Sequence, residues 1–359
     1  MKSNQTNIAS RVKPISETEL FKKYKSSYSS AFIDLSFHTL LLCSSFFSAW
    51  YFKNFWFAFP IMLLHSTLKI KTFTILHDCC HDSYIPNSSL SVIISMITSV
   101  VTSRFWLGYK TRHLIHHKTN GAINNEYNFH FNETVFFTRK QYAKLNAFMR
   151  QIYKISKHQY IALFFGFFKV IIFEHFSFIR CRKYYNGNYI YLLSHQIFFS
   201  SMCILMNYMF YEMGLLTYHL ICSNLILFYG LIIVHSEHTY NPPYVVINSE
   251  WTYRDSGILG SSFIEVPYWL KYIMGGLEYH HIHHMNSKIP GYNLQAYHED
   301  VISRSNMFDN VVKLSITDCY NNLWLVLYDE DKKRYITFAE ADEEIRKEKE
   351  KEKEKEKYV

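Results

Sequence analysis

Cysteine is sparse and unpaired in this chain: seven residues, an odd number, with no C-x-x-C repeat of the zinc-ribbon kind. That argues against a disulfide framework and for a reduced, intracellular setting for whatever part faces water. No positively charged stretch followed by an apolar core and a cleavage site opens the sequence. Met1 to Ser30 is polar, so no secretory signal is expected. The net charge is +8, yet no basic patch interleaves with a nucleic-acid-binding motif, and nucleic acid is not an expected partner. Glycine is limited to 11 positions, whereas 29 tyrosines and 30 phenylalanines give an aromatic load beyond what an ordinary soluble domain needs. Mean hydropathy is close to zero only because apolar blocks are averaged with charged ends.

Those blocks organise the chain. Residues 1–30 read as a polar N-terminal segment, 31–341 as one membrane domain, and 342–359 as a charged low-complexity tail. Residues 35–52, 55–76, 189–211 and 215–234 are each long and apolar enough to cross a hydrocarbon core about 30 Å thick. Lys69 and Lys71, near the end of the second block, are expected to snorkel toward the interface. Residues 90–107 are also apolar. If they crossed, the polar motifs before and after them would lie on opposite sides, so they are read as re-entrant or interfacial. Residues 161–173 are too short to span and receive the same reading. Between Lys110 and Lys183 stand thirteen Lys/Arg against three Asp/Glu, which by the positive-inside tendency puts this region in the cytoplasm. In the tail, strict Glu/Lys alternation sets opposite charges at i+3 but like charges at i+4, and disorder is the expectation.

Histidine carries the chemistry. His280, His281, His283 and His284 are four imidazoles in five residues. On a helix His280, His283 and His284 share a face, while His281 points elsewhere. The same spacing occurs at His113, His116 and His117, and a looser i, i+4 pair at His77 and His81. One tetrahedral zinc closes at four ligands, so eight such rings on one membrane side are the natural count for two metals. Bis-histidine haem ligation is the rival, but it needs only one ring per face of the iron and no adjacent pairs. Asp78 and Asp82 flank the first box as helix-end charges or as partners that orient a ligand imidazole. Cys79 and Cys80 are read as small packing residues. His65, His195 and His219, alone in apolar blocks, are read as hydrogen-bonded helix–helix contacts rather than ligands. A metal pair beside a bilayer suits attack on lipid. An acyl methylene has no acidic proton for general acid–base groups to take, whereas O₂ chemistry at a metal can remove hydrogen atoms.

The residues at this point resemble a family. His77-Asp78-Cys79-Cys80-His81, Arg112-His113-Leu114-Ile115-His116-His117-Lys118-Thr119-Asn120 and His280-His281-Ile282-His283-His284 are similar to the three histidine boxes of integral-membrane fatty acid desaturases. Ile289-Pro290-Gly291-Tyr292-Asn293-Leu294, Glu250-Trp251-Thr252-Tyr253, Gly260-Ser261-Ser262 and Tyr328-Asp329-Glu330-Asp331 resemble the acyl-lipid branch related to Δ12 (omega-6) enzymes. The resemblance implies an all-α integral membrane protein with four transmembrane helices and a cytosolic helical cap. It implies a cis double bond placed in a fatty acyl lipid by two non-haem irons with O₂. Electrons would come from an external donor of cytochrome b5 or ferredoxin type, since no HPGG-type haem stretch occurs here. It also implies a ninth ligand at His238, leaving His235 unmatched. The chain departs from the pattern at Cys80 (usually Gly), at Glu237 (often Gln), at Gly275-Gly276 (commonly Gly-Asn) and at Glu278 (usually small). Relatives also hydroxylate or ketolate lipids and carotenoids, and the boxes alone do not separate these outcomes. Lys355-Glu356-Lys357-Tyr358-Val359 resembles a KxKxx retrieval signal, compatible with endoplasmic reticulum residence.

Overall fold

The computed structural model describes residues 17–123, 136–185 and 187–356. A short helix α1 (Glu17–Lys23) precedes a long antiparallel hairpin of α2 (Tyr28–Phe52) and α3 (Phe55–Cys80). Both starts are capped: the Ser27 hydroxyl accepts from the Ser30 amide, and the Asn54 side chain from the Trp56 amide. Lys53, at φ 38°, supplies the left-handed residue that reverses the chain between them. At 1.5 Å per residue, helices of 25 and 26 residues reach about 38 Å, more than a hydrocarbon core.

Next come α4 (Ser88–Thr102) and α5 (Trp106–Thr119), then α6 (Arg139–Lys144), α7 (Ala147–Ser156), α8 (Gln159–His175) and α9 (Ser177–Cys181). A second long hairpin follows, α10 (Tyr189–Glu212) and α11 (Leu216–Ser236). Among the described residues three helices, α2, α10 and α11, are both long and apolar enough to cross a bilayer; α3, read from the sequence as a span at residues 55–76, is long enough but is not among them. The pairs α4/α5 and α7/α8 reach that length only as bent units, turning by 101° and 71° at their breaks. Such a bent pair is either a broken span or a re-entrant segment, the latter being the reading made of residues 90–107 from the sequence. On α10, Ile190, Ile197, Ile204 and Tyr211 form an exposed stripe at i, i+7 spacing, a surface suited to lipid rather than water.

Helix α3 is the buried centre, packed against α2, α4 and α11. This enclosure overturns one expectation. Lys69 and Lys71 reach partners on neighbouring helices rather than snorkelling. Lys71 Nζ instead lies 3.1 Å from Asp34 Oδ1 on α2, and Lys69 Nζ lies 3.2 Å from His219 Nδ1 on α11. His65 meets Ser45 at 3.1 Å, a helix–helix contact as read from the sequence. His195 instead bonds back to Tyr191 O on its own helix, at 2.9 Å.

The rest forms a cap over one end of the bundle: α12 (Tyr253–Ile258), α13 (Tyr268–Met274), α14 (His280–Met285), α15 (Gly291–Ile302), α16 (Ile316–Asn322) and α17 (Phe338–Glu356). Small pairings stitch it together. Strand β1 (Ala122–Ile123) runs parallel to β3 (Val246–Ile247), and β4 (Phe263–Ile264) to β5 (Lys313–Leu314). Strand β2 (Phe137–Thr138) runs parallel to β6 (Leu327–Asp329), which pairs antiparallel with β7 (Arg334–Ile336). The charged tail is helical through Glu356, against the expectation of disorder. Ala341 and Ile345 are buried against Tyr142, Tyr335 and Ile336, and Glu348 pairs with Arg139 at 2.6 Å. Tertiary anchoring supplies what the i+4 repulsions withhold. Lys357 to Val359, and with them most of the retrieval-like signal, lie outside the described residues, as does most of the polar N-terminal segment.

Candidate metal centre

Four elements deliver histidine to one place. Helix α3 ends with His77 in its last turn and His81 at its C-cap. Helix α5 carries His113, His116 and His117, and α14 begins with His280 and carries His283 and His284. His238 follows α11 by two residues. Their ligand atoms fall into two sets that could each hold a metal ion: His77, His81, His113, His117 and His283 in one, and His116, His238, His280 and His284 in the other. Within each set the nitrogens lie within 4.8 Å of one another. All nine histidines named from the sequence therefore fall within these two groups.

The donor atoms fit metal better than they fit one another. His238 Nε2 lies 2.9 Å from both His116 Nε2 and His280 Nε2. His117 Nε2 lies 3.0 Å from His113 Nε2 and 2.9 Å from His283 Nε2. A neutral imidazole carries one proton. His238 Nδ1 sits 2.7 Å from the Gly260 carbonyl, which holds that proton there and leaves Nε2 bare and aimed at the centre. His77 Nε2, His81 Nε2 and His284 Nε2 are buried with no hydrogen-bond partner. Orphaned buried nitrogens on this scale are costly unless a cation is their partner. Burial, and then repulsion from neighbouring rings, holds His280, His283 and His284 well below the ordinary histidine range, so they are neutral, the form that ligates.

Residues outside the boxes fix these rings. Asp78 Oδ1 lies 3.3 Å from His77 Nδ1 while Oδ2 accepts from the Gly291 amide at 2.6 Å, so one carboxylate joins the first box to the turn after the third. Gly291 packs so closely that a Cβ would come 2.1 Å from Gly275 O, and Gly275 and Gly276 have φ of 58° and 100°, as the turn into the third box requires. Asn120 donates to Gly260 O at 2.9 Å, and its own carbonyl accepts from Trp251 Nε1 at 2.8 Å and from Ser256 Oγ at 3.0 Å. The end of the second box is thereby tied to the carbonyl that orients His238. Asn120, Trp251 and Gly260 were visible in the sequence only as part of a resemblance, without a role.

His281 and His235 stand apart. His281 is buried among Phe263, His298 and Phe308. His235 Nε2 is 3.0 Å from Asn322 O, and its ring packs on Phe136. Two voids of about 10 Å³ border the cluster, each room for about one water. The first is lined by Thr74, Gly276 and Leu294 with His77, His280 and His283. The second is lined by Phe73, Tyr109, Val234 and Glu237 with His116, His238 and His280. Cys80 is buried beside Trp106, and burial rather than reactivity marks both adjacent cysteines.

Comparison with known proteins agrees with this geometry. Residues 42–309 match the family described as fatty acid desaturase, a span holding all nine histidines. A curated relative, the fatty acid desaturase of Bacillus subtilis (strain 168), is 24% identical over 270 residues, covering 75% of this chain and 74% of the relative.

Proposed function

Since the chain belongs to the fatty acid desaturase family, we propose that it is an O₂-dependent desaturase that places a cis double bond in a lipid-linked fatty acyl chain, on the acyl-lipid branch its motifs resemble. The observation that carries this reading is the pair of histidine sets, buried and adjacent, at one end of an apolar helix bundle. Two non-haem irons are the metals proposed. His77, His81, His113, His117 and His283 would hold one, and His116, His238, His280 and His284 the other. When bound, such a pair supplies O₂-dependent removal of hydrogen from an unactivated methylene, which no side chain can do.

The chain's own residues do the rest. Neutral imidazoles keep their lone pairs inward because Asp78 and the Gly260 carbonyl take the outer protons. Phe73, Val234 and Leu277 put apolar side chains on the wall of the second void, beside Tyr109, which limits the entry of bulk water. In this reading the bundle has four spans, α2, α3, α10 and α11, with α4/α5 re-entrant and the cap in the cytoplasm. Electrons reach it from a separate donor of cytochrome b5 or ferredoxin type. The test is expression in a desaturase-deficient yeast, with fatty acid methyl esters analysed and bond positions mapped. A new olefinic acyl chain supports the assignment. Hydroxylated lipid without olefin would move the chain to a hydroxylase while leaving the metal site standing. A Soret band in the purified protein would replace the iron pair with haem.

A further inference from the structure

We propose that Glu237 is a ligand of the second metal site, adding one carboxylate to four imidazoles. The inference rests on the two-metal reading above. The two histidine sets are unequal: five rings in one, four in the other. The side of the smaller set that faces the second void is where Glu237 stands. It precedes His238 at the C-terminal cap of α11, is only 2% exposed, and places Oε2 3.6 Å from His280 Nε2. It lines the void together with His116, His238 and His280, three of the four rings concerned. The main chain there is pinned, since the Glu237 amide donates to Ile233 O at 3.0 Å and its carbonyl accepts from Ser262 N at 3.0 Å. The carboxylate thus stands beside one ring of the set on a main chain held in place.

Charge favours the same assignment. Two divalent ions on nine neutral rings would bring four positive charges into a buried site whose two sets contain no acid. Of the other buried acids, Asp78 bonds Gly291 and His77, Glu174 pairs with Arg112 at 2.8 Å, and Glu278 lines neither void. Among the described residues, Glu237 is the acid that combines burial, a 3.6 Å approach to a ring of the four-histidine set and a place on the wall of its void. A carboxylate oxygen is also a harder donor than imidazole, so the second site would differ from the first in affinity and spectrum.

The experiment is titration of the metal-stripped full-length protein in detergent with Co(II), following binding by calorimetry and the visible ligand-field bands. Wild type is expected to take two ions per chain. Glu237→Gln, nearly isosteric, should bind the first ion as wild type does and the second about 10-fold or more weakly, with altered bands for the second equivalent only. Glu237→Asp should give an intermediate affinity and a third spectrum. Two ions bound by Glu237→Gln with wild-type affinities and bands would overturn the assignment. If that variant cannot be purified, a wild-type second-equivalent spectrum in Glu237→Asp overturns it equally. Wild type binding a single ion would bring down the two-metal reading itself, a distinguishable failure.

Discussion

His235 and His238 lie one helical turn apart, and their surroundings divide their roles. His238 presents Nε2 to two other rings and anchors Nδ1 on Gly260 O. His235 spends its Nε2 on the Asn322 carbonyl. His238→Ala should therefore purify iron-poor and inactive, whereas His235→Ala should retain most iron and turnover and lose stability instead. Metal analysis beside a product assay decides it, and the reverse pattern would move the ligand to His235. Glu278 offers a second test. Burial raises its carboxyl to about 7, with Lys271 and backbone groups opposing. A folded-state value above the unfolded one means the native protein holds the proton more tightly. Stability is then full below about 4.5 and falls as pH rises toward 7. In metal-free protein, Glu278→Gln should melt close to wild type near pH 5 and above it at pH 8, by an amount on the order of 2 kcal/mol. A constant gap across that range would mean that Glu278 does not exchange its proton between these states.

Helices show where sequence reasoning holds and where it stops. The eight box histidines were legible because i, i+3 and i+4 spacing fixes a shared face whatever surrounds the helix. The re-entrant reading of residues 90–107 came from a consistency condition between boxes; the 101° break between α4 and α5 is a geometry that a re-entrant loop and a broken span share. Lys69 and Lys71 were misjudged because each apolar block was weighed alone, whereas their partners Asp34 and His219 sit on other helices. The tail was misjudged likewise, since Arg139, some 200 residues upstream, supplies its anchor. Asp78 could be named from the sequence, but its second partner, the Gly291 amide, could not. The Lys71–Asp34 pair gives the prediction that belongs at this scale. Lys71 is nearly sealed from solvent and Asp34 is mostly so. Removing one member strands a buried charge, at a cost of about 3–5 kcal/mol, while replacing both with apolar residues is close to neutral. Lys71→Met should thus lower the melting temperature sharply, and Asp34→Leu/Lys71→Met should recover most of the loss. A double variant no better than the single one would mean that the two charges do not compensate each other.

At the scale of the whole molecule, the histidine cluster constrains how the chain can sit in a bilayer. Its rings come from the end of α3, from α5, from the residue pair after α11 and from α14, so these four places must lie on one side of the membrane. If α2 and α3 cross as a hairpin, the chain is back on its starting side at His81. To remain there at His113, α4 and α5 together must not cross, and their sharp mutual bend lets them dip and return. If the hairpin of α10 and α11 crosses twice as well, it again restores the side, bringing His238 level with the boxes. Parity then puts the N-terminus, the loop between α5 and α6, and the C-terminus on one face. In the proposed reading that face is the cytoplasmic one, as the positive-inside tendency expects from the thirteen Lys/Arg between Lys110 and Lys183 against Lys53 and Glu212 in the two opposite turns. Tags at residue 1, within residues 126–141 and at Val359 should all be cleaved by protease added from the cytosolic side of sealed vesicles. Protection of the middle tag alone would mean that α4/α5 spans, and that no single metal centre can contain both His81 and His113.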